Sequence, residues 1–589
     1  MAKKKPLWQD VAIAVAGEPA HALKKSRSPR VATDKCLNCG TCVTNCPTHA
    51  IREMQRQICR LCPDCAEGPI MFPRDMESLT QRSCGASCPL GHSPEGYLNL
   101  AARNDPEGAW NLIASVNPLP GVLGRICSRP CEEACKRGIL IDKPMYIRGM
   151  KRAIADWAYE NGKSERRSYP RCIDKRIAVV GGGPAGLTAA CDLAQMGYRV
   201  SIFEKTGGMG GMIRRAIPAF RLPDEVWRRE FEWAIGDDID VKFGVSVGIS
   251  PTIEELFDDG YRAVILAMGA PNGKKLPIPG HTFKGVCDAL QYMSDVKYGI
   301  PAETGEDTVV VGGGSVATDV ARTALRKGAR NVTMVCIEDE AHMPALSWEI
   351  EEAISEGVKV IPAYAPLSVN SKWMRAESVT LAAVTRIETT ETGELRPVID
   401  RAATREIPAQ TVIFAVGQAT DRALLDRMGL ARNAKGGIVT DECTLATSLR
   451  GVYAAGDLAG GANSVVEAMA SARKAAKAVD AFLMNGAPDD ALPAMGSAPL
   501  REKIFPVRLE KLTPLKLKEI KREEALASFD EVLIGASLRE FETDARRCMK
   551  CGYIEVDHAL CVGCGTCKRV CPAGDVITMC APLSGGEEE

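Results

Sequence analysis

One cysteine spacing, C-x2-C-x2-C-x3-C-P, occurs near both ends of the chain. It is formed by Cys36, Cys39, Cys42 and Cys46 and again by Cys561, Cys564, Cys567 and Cys571. The spacing is typical of a [4Fe–4S] cluster, because the short gaps let one tight loop direct several thiolates at the metal. Two such runs predict a chain that carries single electrons, with entry at one place and exit at another.

Length, charge and hydropathy narrow the class of protein. The chain has 589 residues, enough for three or four domains, and a net charge of −1, which gives no general attraction to nucleic acid or an anionic membrane. No run of 18 apolar residues predicts a membrane span, and the first 30 residues lack the apolar core of a signal peptide. Cysteines in C-x2-C groups therefore indicate metal rather than disulfides, in a reducing cytoplasm.

A strand, a glycine turn, a helix and a second strand follow one another over residues 176–205. Gly181, Gly183 and Gly186 form G-x-G-x-x-G, in which the glycines permit the turn, admit a pyrophosphate and let the helix pack closely. Glu204 ends the second strand, where a carboxylate accepts hydrogen bonds from ribose hydroxyls. We therefore expect a dinucleotide site, with further binding residues at Pro184, Ala185, Lys205, Gly210 and Gly211.

A later segment predicts that this first site holds FAD. GVYAAGD (451–457) reads as a strand that ends at Gly456 and Asp457, and a helical pattern begins at about residue 463. In flavoproteins with two dinucleotide sites, such an Asp meets the ribityl chain or the pyrophosphate of FAD. The helix N-terminus, with Ser464 and Val465, offers positive potential to the reduced flavin.

A second strand–turn–helix unit over residues 308–339 predicts a nicotinamide nucleotide site. Gly312, Gly314 and Ala317 form the G-x-G-x-x-A version of the motif, and Ser315 opens its helix. NADP sites usually place Arg after the second strand for the 2′-phosphate, whereas NAD sites place an acid there. Glu338 begins a run of three carboxylates at this point, which favours NAD(H) over NADP(H).

A stretch with helical spacing between residues 56 and 165 holds eight further cysteines. These are Cys59, Cys62, Cys65, Cys84, Cys88, Cys127, Cys131 and Cys135. Eight thiols suffice for two all-cysteine [4Fe–4S] clusters, although the spacing does not partition them, and one cluster with spare thiols stays open. Cys548, Cys551 and Cys580 flank the second run and either complete another cluster or are bystanders. Four or five clusters are thus expected in all.

These motifs in this order resemble the glutamate synthase small subunit. They also resemble the large subunit of NADH-dependent ferredoxin:NADP oxidoreductase and the electron-input part of dihydropyrimidine dehydrogenase. The resemblance covers residues 80–480 and rests on stretches that include NPLPGVLGRICSRPCEEACKRG (117–138), GGGPAGL (181–187), GGMGGMI (207–213), GGGSVATDVAR (312–322) and AAGD (454–457). It implies FAD on the first site, a nicotinamide nucleotide on the second and two [4Fe–4S] clusters in a helical N-terminal domain.

The chain departs from these relatives at two positions. NADPH-using relatives carry paired Arg where this chain has Ile337 and Glu338, which the resemblance makes an argument against NADPH. Several relatives also supply a Glu or Gln as the eighth cluster ligand, at about the position of Lys151. A protonated lysine cannot serve as such a ligand.

The expected fold class is α/β. It has two Rossmann-like dinucleotide-binding domains, for FAD and NAD(P), preceded by a helical Fe–S domain and flanked by ferredoxin-like [4Fe–4S] modules. The expected boundaries are an irregular tail (1–30), a ferredoxin-like module (31–55), the helical Fe–S domain (56–170), the FAD-binding domain in two parts (171–300 and 416–488), the NAD(P)-binding domain (301–415), an extended surface linker (489–539), a second ferredoxin-like module (540–582) and a tail (583–589).

The predicted activity is an NAD(P)H:ferredoxin or acceptor oxidoreductase. Hydride is exchanged between the nicotinamide and FAD, and single electrons pass through the clusters to or from a ferredoxin or the catalytic subunit of a larger redox complex. The cofactors carry this chemistry, so no side chain is predicted to be catalytic. The alternatives are a glutamate synthase small subunit and a non-enzymatic Fe–S electron-transfer or sensor protein, and the latter leaves two dinucleotide sites unexplained.

Overall fold

The structure is a computed structural model of the chain. It describes residues 28–31, 36, 42, 46, 51–55, 57–58, 84–390, 395–433, 437–461, 463–485, 504–505, 512–556, 567–568, 571 and 577–580. Six predicted cluster ligands lie outside the described residues: Cys39, Cys59, Cys62, Cys65, Cys561 and Cys564. The first described elements are short strands, namely β1 (Ser28–Val31), β2 (Ile51–Gln55) and β3 (Gln57–Ile58).

A helical domain follows, as the sequence predicts. Its helices are α1 (Pro94–Ala102), α2 (Pro106–Val116), α3 (Pro120–Ile126), α4 (Pro130–Glu133), α5 (Lys136–Leu140) and α6 (Ile147–Glu160). Proline opens each of α1 to α4, a position where its missing N–H leaves no hydrogen bond unmade. The side chains of Ser93 and Asp105 cap α1 and α2 by accepting hydrogen bonds from the first turn of each helix.

The FAD-binding domain is built on a parallel sheet. Its first part contains β4 (Arg176–Val180), α7 (Pro184–Gln195), β5 (Arg199–Glu204), α8 (Met212–Arg215), α9 (Asp224–Ile235), β6 (Asp240–Phe243), α10 (Ile253–Asp258), β7 (Tyr261–Leu266) and β8 (Asn272–Gly273). Strand β4 pairs in parallel with β5 on one side and β7 on the other. Because helices cover both faces of such a sheet, the central strand is apolar and buried over Ile177–Val180.

The NAD(P)-binding domain has a second parallel sheet. Its elements are β9 (Val286–Asp288), α11 (Ala289–Lys297), β10 (Asp307–Val311), α12 (Ser315–Arg326), β11 (Asn331–Val335), a 3-10 turn (Glu340–His342), α13 (Ser347–Glu356), β12 (Lys359–Ile361), β13 (Tyr364–Lys372), β14 (Arg375–Thr389), β15 (Leu395–Pro408), β16 (Thr411–Phe414) and β17 (Gln418–Ala419). The parallel sheet has the order β12-β11-β10-β16-β9, and β13-β14-β15 form an antiparallel sheet. Since β9 belongs to this domain, the NAD(P)-binding domain begins near residue 286 rather than at the predicted 301.

The chain then returns to the FAD-binding domain through α14 (Arg422–Arg427), β18 (Val452–Ala454), α15 (Asp457–Gly460) and α16 (Val465–Asn485). Strand β18 pairs in parallel with β7 and completes the sheet order β18-β7-β4-β5-β6. The FAD-binding domain is therefore formed by two sequence segments, and the second segment supplies the edge strand β18.

The last described elements are β19 (Ile504–Phe505), β20 (Lys518–Glu519), α17 (Arg522–Ala527), β21 (Leu533–Gly535), α18 (Leu538–Ala545), β22 (Gly552–Val556) and β23 (Ile577–Cys580). We call residues 512–545 the C-terminal strap. The sequence predicts an extended surface linker up to residue 539, and for the described part of it this prediction is wrong. Buried Ala525 and Val532, and in the next helix Phe541, anchor the strap to the domains beneath it.

The two ends of the chain meet. Strand β1 pairs antiparallel with β23, with Ser28 opposite Cys580, and β2 pairs antiparallel with β22, with Ile51 opposite Val556. The two ferredoxin-like modules predicted at the chain ends are therefore paired with each other and are not separate. Pairing of strands more than 490 residues apart leaves no trace in local sequence periodicity.

Candidate flavin and iron–sulfur site

A large cavity lies between the two nucleotide-binding domains. It has a volume of about 1550 Å³ and is lined by the first glycine turn, the second glycine turn and the loop around Asp457. Most of the predicted nucleotide-binding residues line it: Gly181, Gly183, Pro184, Ala185, Glu204, Lys205, Gly211, Gly312, Gly314, Ser315, Glu338, Gly456, Asp457, Ser464 and Val465. Gly186, Gly210 and Ala317 do not line the cavity.

The first glycine turn has no side chains at the place where a pyrophosphate would pass. A Cβ on Gly211 would lie 2.9 Å from the Cα of Gly183, so these two cavity-lining glycines leave a cradle that a larger residue would fill. Gly186 serves a different purpose, because a Cβ there would overlap the carbonyl oxygen of Gly181. It lets α7 pack directly against the turn, and the cradle fits the phosphates of FAD at the N-terminus of that helix.

Glu204 is held in place at the end of β5. Its Oε2 accepts a hydrogen bond from the Gly182 N–H at 2.7 Å, and its Oε1 accepts from the N–H and hydroxyl of Thr206 at 2.7 and 2.8 Å. The carboxylate thus closes the glycine turn and faces the cavity. This arrangement suits an acceptor for ribose hydroxyls.

The returning segment places a carboxyl group and a helix N-terminus at the far side of the cavity. Burial raises the pKa of Asp457 to about 6, and the Asn463 N–H donates to its Oδ1 at 3.3 Å. Ser464 and Glu467 form reciprocal side-chain and backbone hydrogen bonds at the start of α16. This cap fixes the helix so that its N-terminal N–H groups face the cavity, where they favour negative charge.

The second glycine turn repeats the geometry of the first with a different side chain. The Gly312 N–H donates to the Val335 carbonyl at 2.8 Å, just as the Gly181 N–H donates to Phe203 at 2.8 Å. The residue equivalent to Glu204 is therefore Cys336, and Glu338 reaches the turn from two positions further on. Its Oε2 lies 3.2 Å from where a Cβ on Gly313 would stand.

Four thiols from opposite ends of the sequence line one small cavity beside the helical domain. They belong to Cys84, Cys135, Cys548 and Cys551, which we call the first thiol group. Burial, then Glu95 and the neighbouring thiols raise the pKa values of Cys84 and Cys548 well above their usual range. Such thiols ionise only when a metal compensates their charge.

Three more thiols, of Cys88, Cys127 and Cys131, form the second thiol group. Burial raises the pKa of Cys131 well above its usual range, the positive charge of Lys151 opposes this shift, and Cys127 and Cys88 add to it. Lys151 therefore lies close to the thiol of Cys131. Tyr97 lies beside both thiol groups, and burial, then thiols of both groups, raise its pKa well above its usual range.

The chemistry of the donors fits a cluster. Within the described part of the chain, no group of three His, Cys, Asp or Glu side chains is arranged to hold a single metal ion. In a cubane, each cysteine thiolate binds a different iron. The donor set, thiolates from separate short segments, fits a [4Fe–4S] cluster.

The second thiol group and the large cavity share a wall. Ile126 and Ser128, which flank Cys127, both line the cavity that holds the two glycine turns. The Arg148 guanidinium donates to the Cys127 carbonyl at 3.3 Å, and Arg129 takes a left-handed conformation with φ +58°. No sequence motif assigns a role to Ile126 and Ser128, although their position beside a cysteine is a signal that could identify them.

A buried carboxylate joins the FAD-binding domain to this wall. Glu230 on α9 accepts hydrogen bonds from the N–H groups of Gly121 and Val122 at 2.5 and 2.9 Å, and from the Tyr159 hydroxyl. These N–H groups belong to the first turn of α3, the helix that ends at Ile126. Burial raises the pKa of Glu230 to about 7.

The C-terminal strap brings the last two thiols to the first thiol group. Glu531 forms ion pairs with Arg125 and Arg152 of the helical domain, both at 3.0 Å. Next to Cys548, the fully buried Arg547 pairs with Asp544 at 2.7 Å and Asp142 at 3.0 Å. Glu531 and Arg547, which both precede Cys548 in the chain, therefore tie this segment to the helical domain.

Two dinucleotide turns on one cavity, with a thiol group behind the cavity wall, define a flavin-dependent iron–sulfur oxidoreductase. The sequence comparisons agree, since the chain belongs to the pyridine nucleotide-disulphide oxidoreductase family, which it matches over residues 175–472. Residues 78–163 match the dihydropyrimidine dehydrogenase domain II, 4Fe-4S cluster, and residues 29–52 and 554–575 match the 4Fe-4S binding domain. The predicted α/β fold class, the family resemblance and the enzyme class are confirmed.

Three curated relatives show the range of this family. The NADP(+)-dependent formate dehydrogenase subunit beta of Moorella thermoacetica is 32% identical over 80% of this chain and 70% of the relative. The glutamate synthase [NADPH] small chain of Mycobacterium tuberculosis is 31% identical over 71% and 91%. The NADPH-Fe(3+) oxidoreductase subunit beta of Geobacter sulfurreducens is 28% identical over 80% and 75%. Among the helices that the structure describes, none is sufficiently long and apolar to span a bilayer.

Proposed function

We propose that this chain exchanges an electron pair with a nicotinamide nucleotide, preferably NAD(H), and passes single electrons through [4Fe–4S] clusters to or from a protein partner. The partner is a ferredoxin or the catalytic subunit of a larger redox complex, in a reducing compartment such as the cytoplasm. The observation that carries the proposal is the wall at Ile126 and Ser128, which separates the nucleotide cavity from Cys127.

The residues of the cavity would bind and orient the two nucleotides. Gly183 and Gly211 leave room for the FAD pyrophosphate, Glu204 accepts hydrogen bonds from its ribose, and the N-terminus of α16 stabilises negative charge. When bound, FAD supplies the conversion between two-electron and one-electron transfer, which no side chain provides. Apolar lining residues such as Ile126, Ile213 and Val465 would keep water from the reacting faces.

The thiol groups would hold the clusters nearest the flavin. We assign one cluster to the first thiol group, Cys84, Cys135, Cys548 and Cys551, and a second to Cys88, Cys127 and Cys131. The second group includes three cysteines, and Lys151 lies beside it where several relatives supply the fourth ligand. A protonated lysine donates hydrogen bonds and positive charge but does not bind iron, so it would stabilise an anionic cluster instead.

The preference for NAD(H) depends on one carboxylate. Glu338 lies at the second glycine turn, where it would accept hydrogen bonds from a ribose 2′-hydroxyl and repel a 2′-phosphate. The alternative is NADP(H), which the names of the relatives favour. A candidate phosphate partner is Arg405, whose guanidinium lies 4.1 Å from the ring centroid of the cavity-lining Tyr364.

A glutamate synthase small subunit is the second candidate function. It is favoured by the 31% identity that extends over 91% of the mycobacterial small chain. The two cysteine runs at the chain ends, which such a subunit does not need, argue against it. Glutamate formation on mixing with a glutamate synthase large subunit would decide for this alternative.

The proposed function is tested on protein purified without oxygen, with iron, sulfide and flavin quantified. We expect one FAD and about four clusters per chain, and flavin bleaching by NADH at least tenfold faster than by NADPH. Faster bleaching by NADPH would overturn the nucleotide preference. Absence of flavin, or flavin that neither nucleotide reduces, would overturn the activity itself.

A further inference from the structure

The two cysteine runs sit in matching halves of one repeat. In the N-terminal half, β1 ends at Val31, five positions before Cys36, and β2 follows the run. In the C-terminal half, β22 ends at Val556, five positions before Cys561, and β23 follows the run. Each half is therefore a strand, a cysteine run and a second strand, and neither half has a partner strand of its own in the described residues.

The halves pair with each other in a two-fold pattern. The first strand of one half pairs with the second strand of the other, as β1 with β23 and β22 with β2. Both pairings are antiparallel. A hairpin-sized half cannot bury a core alone, so each half depends on the other for its folded state.

The thiols of the two runs share one apolar core. Cys42 and Cys46 are buried together with Cys567, and Ile51 and Ile577 complete the core from opposite ends of the sequence. Cys36 and Cys571 pack against the same core. The described cysteines of both runs, including the fourth cysteine of each, therefore belong to one core.

We propose that the two halves form one ferredoxin-like unit in which the runs exchange ligands. Cys46 binds the cluster held by the C-terminal run, and Cys571 binds the cluster held by the N-terminal run. In bacterial two-cluster ferredoxins with this spacing, the fourth cysteine of each run ligates the other cluster. Here some 500 residues separate the halves, so the oxidoreductase domains are an insertion within the ferredoxin unit.

This arrangement gives the electron path one protein-facing terminal. Strand β22 begins at Gly552, directly after Cys551 of the first thiol group. The path then runs from the cavity through the second and first thiol groups into the ferredoxin-like unit. This inference rests on the proposed function only in that both runs hold [4Fe–4S] clusters.

The exchange is tested with a pair of matched variants in a background that lacks one cluster. The parent, Cys36→Ala/Cys42→Ala, loses two ligands of the N-terminal cluster whichever way the fourth ligands are arranged. Cys46→Ala or Cys571→Ala is then added, and iron, sulfide and low-temperature EPR spectra are measured on the full chain. Flavin content and flavin bleaching by NADH report separately on the proposed function, because none of the four substituted cysteines lines the nucleotide cavity.

Exchange predicts that Cys46→Ala removes up to about four further irons or leaves a three-iron cluster signal, whereas Cys571→Ala leaves the iron content of the parent unchanged. Self-contained runs predict the reverse. Iron loss in the Cys571→Ala variant, alone or to the same extent as in the Cys46→Ala variant, would overturn the proposal. So would an unchanged iron content in both variants.

Discussion

The two nucleotide turns of this chain have the same backbone and different surroundings. Both turns close with a 2.8 Å hydrogen bond to the second strand, yet the next residue is Glu204 in one unit and Cys336 in the other. Where the first helix has Gly186, the second has Ala317, so the second unit accommodates a methyl group at a position where the first leaves no room for one. The comparison shows that the motif fixes the turn, whereas the side chains around the two turns differ.

The largest effect is expected from exchanging the third residue of the motif. Gly186→Ala places a methyl group against the Gly181 carbonyl, and we expect a loss of about 3 kcal/mol in stability together with most of the bound flavin. The matched variant Ala317→Gly introduces no overlap and costs only about 1 kcal/mol. Flavin content and thermal unfolding measure both, and equal effects of the two variants would show that the helices pack alike.

The two nucleotide-binding domains also differ in how they are held to the helical domain, because Glu230 forms hydrogen bonds that connect only the FAD-binding domain to α3. Its pKa is raised to about 7 by burial, so the native state holds an extra proton between about pH 4.5 and 7. Stability from this group therefore falls as pH rises through that window. We expect Glu230→Gln to be less stable than the unsubstituted protein at pH 5.5, with the difference narrowing by about 2 kcal/mol at pH 8.

Thermal unfolding of both proteins across this pH range is the measurement. A difference that widens with pH would mean that the three hydrogen bonds to Glu230 outweigh its burial. A difference that is independent of pH would mean that the group has the same pKa in the folded and unfolded states.

A third variant tests the residue proposed to contact the nucleotide ribose. Glu338→Arg removes the carboxylate at the second turn and adds a phosphate partner, so the kcat/KM ratio of NADPH over NADH should rise about tenfold, or about 1.4 kcal/mol. The control is Glu340→Gln, which changes an exposed carboxylate that does not line the cavity. An unchanged ratio in Glu338→Arg would assign nucleotide choice to other residues, with Arg405→Ala as the next variant.

The smallest effect is expected at the position equivalent to Glu204. Cys336 is buried, burial raises the pKa of its thiol to about 11, and it donates to the Glu338 carbonyl at 3.5 Å. Cys336→Ala should therefore leave iron and flavin content unchanged and alter the KM for NADH by less than about twofold. A loss of iron would show that this thiol is a ligand after all.

The local parts of this architecture could be predicted from the sequence. The glycine turns, Glu204 and Asp457 stand within motifs whose spacing encodes their geometry, and the domain comparisons confirm the cofactor classes. Partners distant in the chain could not be predicted. The grouping of Cys84 with Cys548, and the pairing of β1 with β23, depend on tertiary contacts that no periodicity records. The strap sequence is rich in charged residues, so the few apolar residues that anchor it do not stand out.

The most direct test of the central claim is an anaerobic titration of the full chain with NADH, followed by flavin absorbance and cluster EPR signals. If electrons pass from the flavin into the clusters, complete reduction consumes more than one equivalent of NADH per FAD, up to about three for one flavin and four clusters. The EPR signals of reduced clusters then rise in the same titration. An end point at one equivalent, with bleached flavin and silent clusters, would contradict the account.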